Sequence, residues 1–109
     1  MINNKYQVLS DFFSSYFHPY WIEDYETVEN AIDEYARDED THTLEITITE
    51  LHEIIDKAYT ESDLKQILVE LGCYYNVSYD YNKTVDWLIS IKKQLLQLLQ
   101  SKGTSGSTI

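Results

Sequence analysis

Little in this sequence interrupts it. A single cysteine, Cys73, is too few for an internal disulfide or a cysteine-based zinc site, so its expected role is that of a small buried hydrophobe. One proline and three glycines, two of them at 103 and 106, leave few enforced breaks, which is the punctuation of a helical chain. No stretch of about 18 apolar residues occurs, which argues against a membrane-spanning helix. The opening Met1-Ile2-Asn3-Asn4-Lys5 has no apolar run of signal-peptide length, and a cytoplasmic protein is expected. Bases are scarce as well: 8 Lys and Arg face 19 Asp and Glu, for a formal net charge of −11 at pH 7. Nucleic acid is thereby a poor partner, because affinity for it comes largely from cations that displace counterions from phosphates. A basic partner fits the charge, and so does a simple solubilising role.

What is present is apolar periodicity. With 109 residues, 43% of them hydrophobic, the chain can close one modest core and not two. Tyr6, Leu9, Phe12, Phe13, Tyr16 and Phe17 recur at helical spacing over roughly 5–17, and Pro19 disfavours helical geometry at His18. A second helix is predicted over roughly 24–38, with Tyr25, Val28, Ala31, Ile32 and Tyr35 inward and Glu26, Asn30, Asp33 and Arg37 opposite. The third segment is ambiguous at first, since Leu44, Ile46 and Ile48 alternate with polar residues as in a strand. Leu44, Ile48, Leu51, Ile55 and Ala58 step by four and three, however, and one helical face satisfies all of them. Thr60 or Ser62 should cap a short fourth helix carrying Leu64, Ile67, Leu68 and Leu71, with Gly72 as its stop. After an aromatic connector over 73–83, a fifth helix over roughly 84–101 presents Trp87, Leu88, Ile91, Leu95 and Leu98. The expectation is an all-α single domain of about five helices over 1–101, followed by a flexible tail at 102–109.

Catalytic chemistry finds no foothold in the sequence. The three histidines are the side chains suited to proton transfer near neutrality, yet His18 sits at a helix end, where packing on Trp21 or a backbone hydrogen bond accounts for it. Glu39 and His42 have the spacing used in di-iron bundles, but that site needs the motif twice and His52 has Thr49 where the second glutamate belongs. No phosphate loop, dinucleotide fingerprint or nucleophile elbow is present. No catalytic residue, metal site or cofactor is expected. What remains is a binding surface: between 23 and 40 there are nine acids and one base, near tyrosines able to serve as anchors.

Three blocks occur in order: Phe12-Phe13-x-x-Tyr16-Phe17-His18-x-x-Trp21, Leu71-Gly72-Cys73-Tyr74-Tyr75 and Trp87-Leu88. Together with the acidic helix they resemble a helical family of immunity proteins from bacterial contact-dependent growth inhibition systems, over about 9–95. Asn76 and Val77 follow the paired tyrosines where members often carry a proline. The resemblance implies a non-enzymatic inhibitor whose partner is the toxic C-terminal domain of a cell-surface exoprotein, often a nuclease, neutralised by stoichiometric occlusion. The blocks themselves lie at core spacing, so Phe13, Phe17, Trp21, Leu71, Cys73, Tyr74, Trp87 and Leu88 are assigned to the core. Specificity then belongs to the surface: Glu23, Glu26, Glu29 and Asp33 would meet a basic groove on the toxin, standing in for phosphates if it is a nuclease. A specific interface needs roughly 800 Å² per partner, so Tyr79, Asp80 and Tyr81 of the connector are added to the candidates. The alternative within the binding class is an acidic adaptor or nucleic-acid mimic directed at an unrelated basic protein.

Overall fold

Among the described residues, three helices begin at a side chain that accepts the backbone N–H three residues on. Thr27 accepts from Asn30 at 3.0 Å, Asp40 from Thr43 at 2.8 Å and Thr60 from Asp63 at 3.1 Å. The computed structural model describes residues 5–77 and 83–107. Within them six helices form: α1 Gln7–Tyr16, α2 Trp21–Tyr25, α3 Val28–Asp38, α4 Thr41–Asp56, α5 Glu61–Glu70 and α6 Thr84–Ser107. No strand occurs among the described residues. The all-α expectation holds.

Two helices borrow their N-terminal acceptor from a different helix. Glu50 of α4 accepts the Leu9 N–H at 2.8 Å, and Glu61 of α5 accepts both the Thr84 N–H and its hydroxyl. Orphan N–H groups at a helix start need such partners. These two therefore fix α1 against α4, and α6 against α5.

The segment predicted as one helix over 24–38 is two. Trp21–Tyr25 makes a short α2, the Glu26 N–H closes on the Ile22 carbonyl, and Glu26 turns into the left-handed region at φ 69°. Thr27 N–H then bonds the Tyr25 carbonyl at 2.8 Å, a γ-turn, before Thr27 caps α3. The cap is the physical reason for the break, because a threonine side chain offers the backbone an alternative to continuing the helix. Glu26 accordingly stands on a turn and not on a helix face.

The ambiguous third segment is helical throughout. Asp40 starts α4, and the Thr47 and Thr49 hydroxyls bond carbonyls four residues back, which reconciles the β-branched run with a helix. Leu44, Ile48, Leu51 and Ile54 are buried. Ala58, assigned to that face from spacing, lies past the helix end, exposed and at φ 53°. The last helix, expected to end near 101, has its bounds at Thr84–Ser107.

Gly72 ends α5 as predicted. Its N–H bonds Val69 and the Cys73 N–H bonds Leu68, the paired bonds of a Schellman motif, with Gly72 at φ +88°. A Cβ at that position would come within 2.9 Å of the Ser14 Cβ, so α1 also passes too close for any other residue. From there the chain alternates: Cys73, Tyr75 and Val77 are buried, while Tyr74 and Asn76 are exposed. Tyr74, assigned to the core from its motif, is instead 64% exposed, and its neighbour Tyr75 takes the inner place. The Tyr74 N–H is held by the Phe17 carbonyl at 2.8 Å, which fixes that phase.

The other core assignments hold: Phe13, Phe17, Trp21, Leu71, Cys73, Trp87 and Leu88 are all buried. At the centre, Trp87 lies 4.7 Å from the ring of Tyr75, 5.4 Å from Phe17 and 5.9 Å from Phe13. Edge-on and tilted pairs of this kind add to the burial of the rings themselves.

Candidate functional site

The corner formed by α2 and α3 is built from the inside out. Trp21 packs on Phe17 and Tyr75, each at 5.4 Å, and Tyr25 stacks on Tyr16 at 5.4 Å. With those two residues inward and about 100° between successive residues, α2 must turn Ile22 and Glu23 to solvent. The preceding loop is ordered by His18, whose Nδ1 accepts the Tyr20 N–H at 3.1 Å. In the neutral ring the proton therefore sits on Nε2, which donates to Asp24 Oδ2 at 2.8 Å. Of the two roles expected of His18, packing on Trp21 or a backbone hydrogen bond, the second is found, and the Asp24 pairing adds to it.

A shallow hollow of about 300 Å³ opens between the two helices, lined by Asp24, Tyr25, Glu26, Asn30, Asp33, Glu34 and Arg37. Four carboxylates face it and one cation, which is already engaged by Glu34 at 2.7 Å. The Tyr25 hydroxyl is pushed above its ordinary pKa of 10.0 by burial and then by Asp24, Glu34 and Asp38, so the phenol stays protonated and offers a donor. Such a hollow can accept a guanidinium or an ammonium group.

Among the acids selected from sequence, Glu26 and Asp33 line the hollow. Asp33 is half-buried and accepts from the Gln94 amide of α6 at 3.1 Å, so it also anchors α3. Glu29 is exposed in the first turn of α3, and Glu23 is exposed on α2 outside the hollow. Tyr79, Asp80 and Tyr81 fall outside the described residues. Two contributors were missed, Asp24 and Glu34. Asp24 is brought in by its bond to His18, and Glu34, four residues after Asn30 and three before Arg37, lies on the side of α3 that lines the hollow.

A second groove of about 510 Å³ lies between α3 and α6, lined by Asp33, Ala36, Arg37, Leu98, Ser101 and Lys102. At its end the Lys102 ammonium donates to the Ala36 carbonyl at 2.5 Å and the Glu39 carbonyl at 2.7 Å. That is a cation on the partly negative C-terminal end of a helix, and it locks α6 to α3.

Among the described residues no group of three or more His, Cys, Asp and Glu is arranged to hold a metal ion. No helix among them is long and apolar enough to cross a membrane. The Cys73 thiol is buried, and burial pushes its pKa up to about 12, far from a reactive thiolate.

No curated protein matches the chain. Its fold is shared with a chain in the crystal structure of a CdiA-CT/CdiI complex from Y. kristensenii 33638, at a TM-score of 0.80 and 22% identity, covering 84% of this chain and 98% of that one. Residues 5–95, from the start of the described structure to the middle of α6, match the family model for CdiI immunity proteins, and the chain belongs to that family.

Proposed function

We propose that this chain neutralises the C-terminal toxin domain of a contact-dependent growth inhibition exoprotein, in the cytoplasm, by occupying a surface the toxin needs and without catalysing a reaction. Family membership supports immunity, and the fold shared with a chain of a CdiA-CT/CdiI complex supports a CdiA-CT domain as the partner. The observation that carries the finer reading is the hollow in which Asp24, Glu26, Asp33 and Glu34 face a single paired arginine. A concentration of uncompensated carboxylates steers a basic surface toward it and sets register on arrival. Glu23 and Glu29 extend the negative surface on either side, and a toxin whose working groove is cationic, as in a nuclease, would be complementary to it.

The test uses the toxin domain encoded beside this chain. An equimolar mixture should silence that domain, and full residual toxin activity would overturn the reading. Reversing Glu23, Glu26 and Glu29 to lysine should slow association about tenfold or more at low salt and flatten its salt dependence, since a steered encounter loses its field. Asp33 is left out of that triple because its bond to Gln94 is structural. Association unchanged at low salt would place the interface on another face.

A further inference from the structure

We propose that Tyr20 and Ile22, beside the acidic hollow, are the apolar anchors of a surface made to grip a protein whose own contact patch is cationic around an apolar depression. This rests on the preceding reading and assigns the residues that hold the partner once charge has delivered it. Tyr20 is 67% exposed and Ile22 61% exposed, among the largest apolar exposures in the described structure. Exposure at both positions is imposed, because Trp21 between them is committed to Phe17 and Tyr75.

The pair is also held still. The His18 ring accepts the Tyr20 N–H and bonds Asp24, so the loop before α2 is tied to α2 itself. At the other end the Glu26 turn and the Thr27 cap fix where α2 stops. Anchors already ordered before contact lose little conformational freedom on binding, and that favours strong single-residue contributions.

Charge decides what fits over them. Glu23 lies between the two helix flanks that carry Ile22 and Asp24, and Glu26 follows one turn later, so the anchors are rimmed by exposed carboxylates. An anionic lipid surface or a phosphate backbone is repelled by that rim. A protein surface bearing Lys or Arg is attracted, and its cations can bond the rim while Tyr20 and Ile22 are desolvated. The exposed apolar residues of α6, Ile89 and Leu96, differ in this respect, since Lys92 and Lys93 lie between them on the same helix.

The experiment measures association and dissociation rates of the full chain with its neighbouring toxin domain. Tyr20→Ala and Ile22→Ala should each raise Kd about tenfold or more through faster dissociation, with the salt dependence of association unchanged. Ile89→Ala, which removes the same side chain as Ile22→Ala from the outer face of α6, should leave Kd unchanged. All three positions are exposed, and unaltered helical signal and melting temperature confirm intact folds. Wild-type dissociation rates in both Tyr20→Ala and Ile22→Ala, alongside a wild type that still silences the toxin, would overturn the anchors and leave the function standing. A wild type that neither binds nor silences would overturn both.

Discussion

At the scale of single residues, a polar contact between Tyr35 and Thr47 in the interior has a donor and an acceptor that can be told apart. The Tyr35 and Thr47 hydroxyls meet at 2.6 Å with both residues buried, and Thr47 Oγ1 donates to the Thr43 carbonyl at 2.9 Å. Thr47 has thus used its proton, so Tyr35 is the donor between them and its hydroxyl has Thr47 to satisfy it. Burial raises the Tyr35 pKa to about 12, so the phenol keeps the proton it donates. Tyr35→Phe leaves Thr47 bonded to Thr43 and should lose about 1 kcal/mol, whereas Thr47→Val strands a buried phenol and should lose roughly 2–3 kcal/mol. The double variant should be less destabilised than the sum, with a coupling of roughly 1 kcal/mol in a urea-unfolding cycle. Strict additivity would mean that the two hydroxyls do not interact.

At the scale of elements, the local signals were legible and the distant ones were not. Thr60 as a cap, Gly72 as a stop and the four-and-three stepping of Leu44, Ile48 and Leu51 all act within a turn or two of the residues they organise. Glu50 and Glu61 serve N–H groups 41 and 23 positions away, and nothing in the sequence marks a glutamate as another helix's cap. The break at Glu26 lay between these cases. Thr27 is a good capping residue, but Trp21, Tyr25, Val28 and Ile32 remain in phase as if one helix continued, so apolar periodicity hid the turn. Tyr74 and Tyr75 were unresolvable for a related reason: adjacent aromatics outside a helix must face opposite ways, and only the Phe17 carbonyl selects which. Ala58 offers a test of these backbone assignments. Left-handed geometry costs a side-chain-bearing residue about 1–2 kcal/mol, while glycine adds roughly 0.5–1 kcal/mol of unfolded-chain entropy. Ala58→Gly should therefore stabilise the protein by about 0.5–1 kcal/mol in thermal or urea unfolding, and a loss of stability would contradict the φ of 53°.

At the scale of the whole molecule, a net charge of −11 makes stability a function of pH, and two glutamates pull in opposite directions. Hydrogen bonds from Thr84 hold Glu61 below its ordinary 4.5, so its contribution is complete above 4.5 and is lost as pH falls through its lower folded value. Burial, with smaller repulsion from Glu53 and Asp11, raises Glu50 above 4.5 despite the Leu9 N–H. Its contribution is complete below 4.5 and is lost as pH rises through the higher folded value. Glu61→Gln should thus weaken the protein at pH 7 and matter less in acid. Glu50→Gln keeps an oxygen for Leu9, and should strengthen the protein at pH 7 with the gain fading toward about pH 4. Urea midpoints taken across that range read both slopes, and parallel curves for the two variants would refute the opposition. The candidate surface was half legible at this scale. Its charge was visible as a run of acids in the sequence, but its shape, and the outward Tyr20 and Ile22, depended on where Trp21 was drawn in. The reversed dihedral at Glu26 has a consequence for descent as well. Because that turn ends α2 while Trp21 and Tyr25 hold it from beneath, codon changes at the outward Tyr20, Ile22 and Glu23 rewrite an exposed face and leave the hydrophobic interior packed as before. A lineage under pressure from a changing adversary can try new recognition surfaces there without first having to refold.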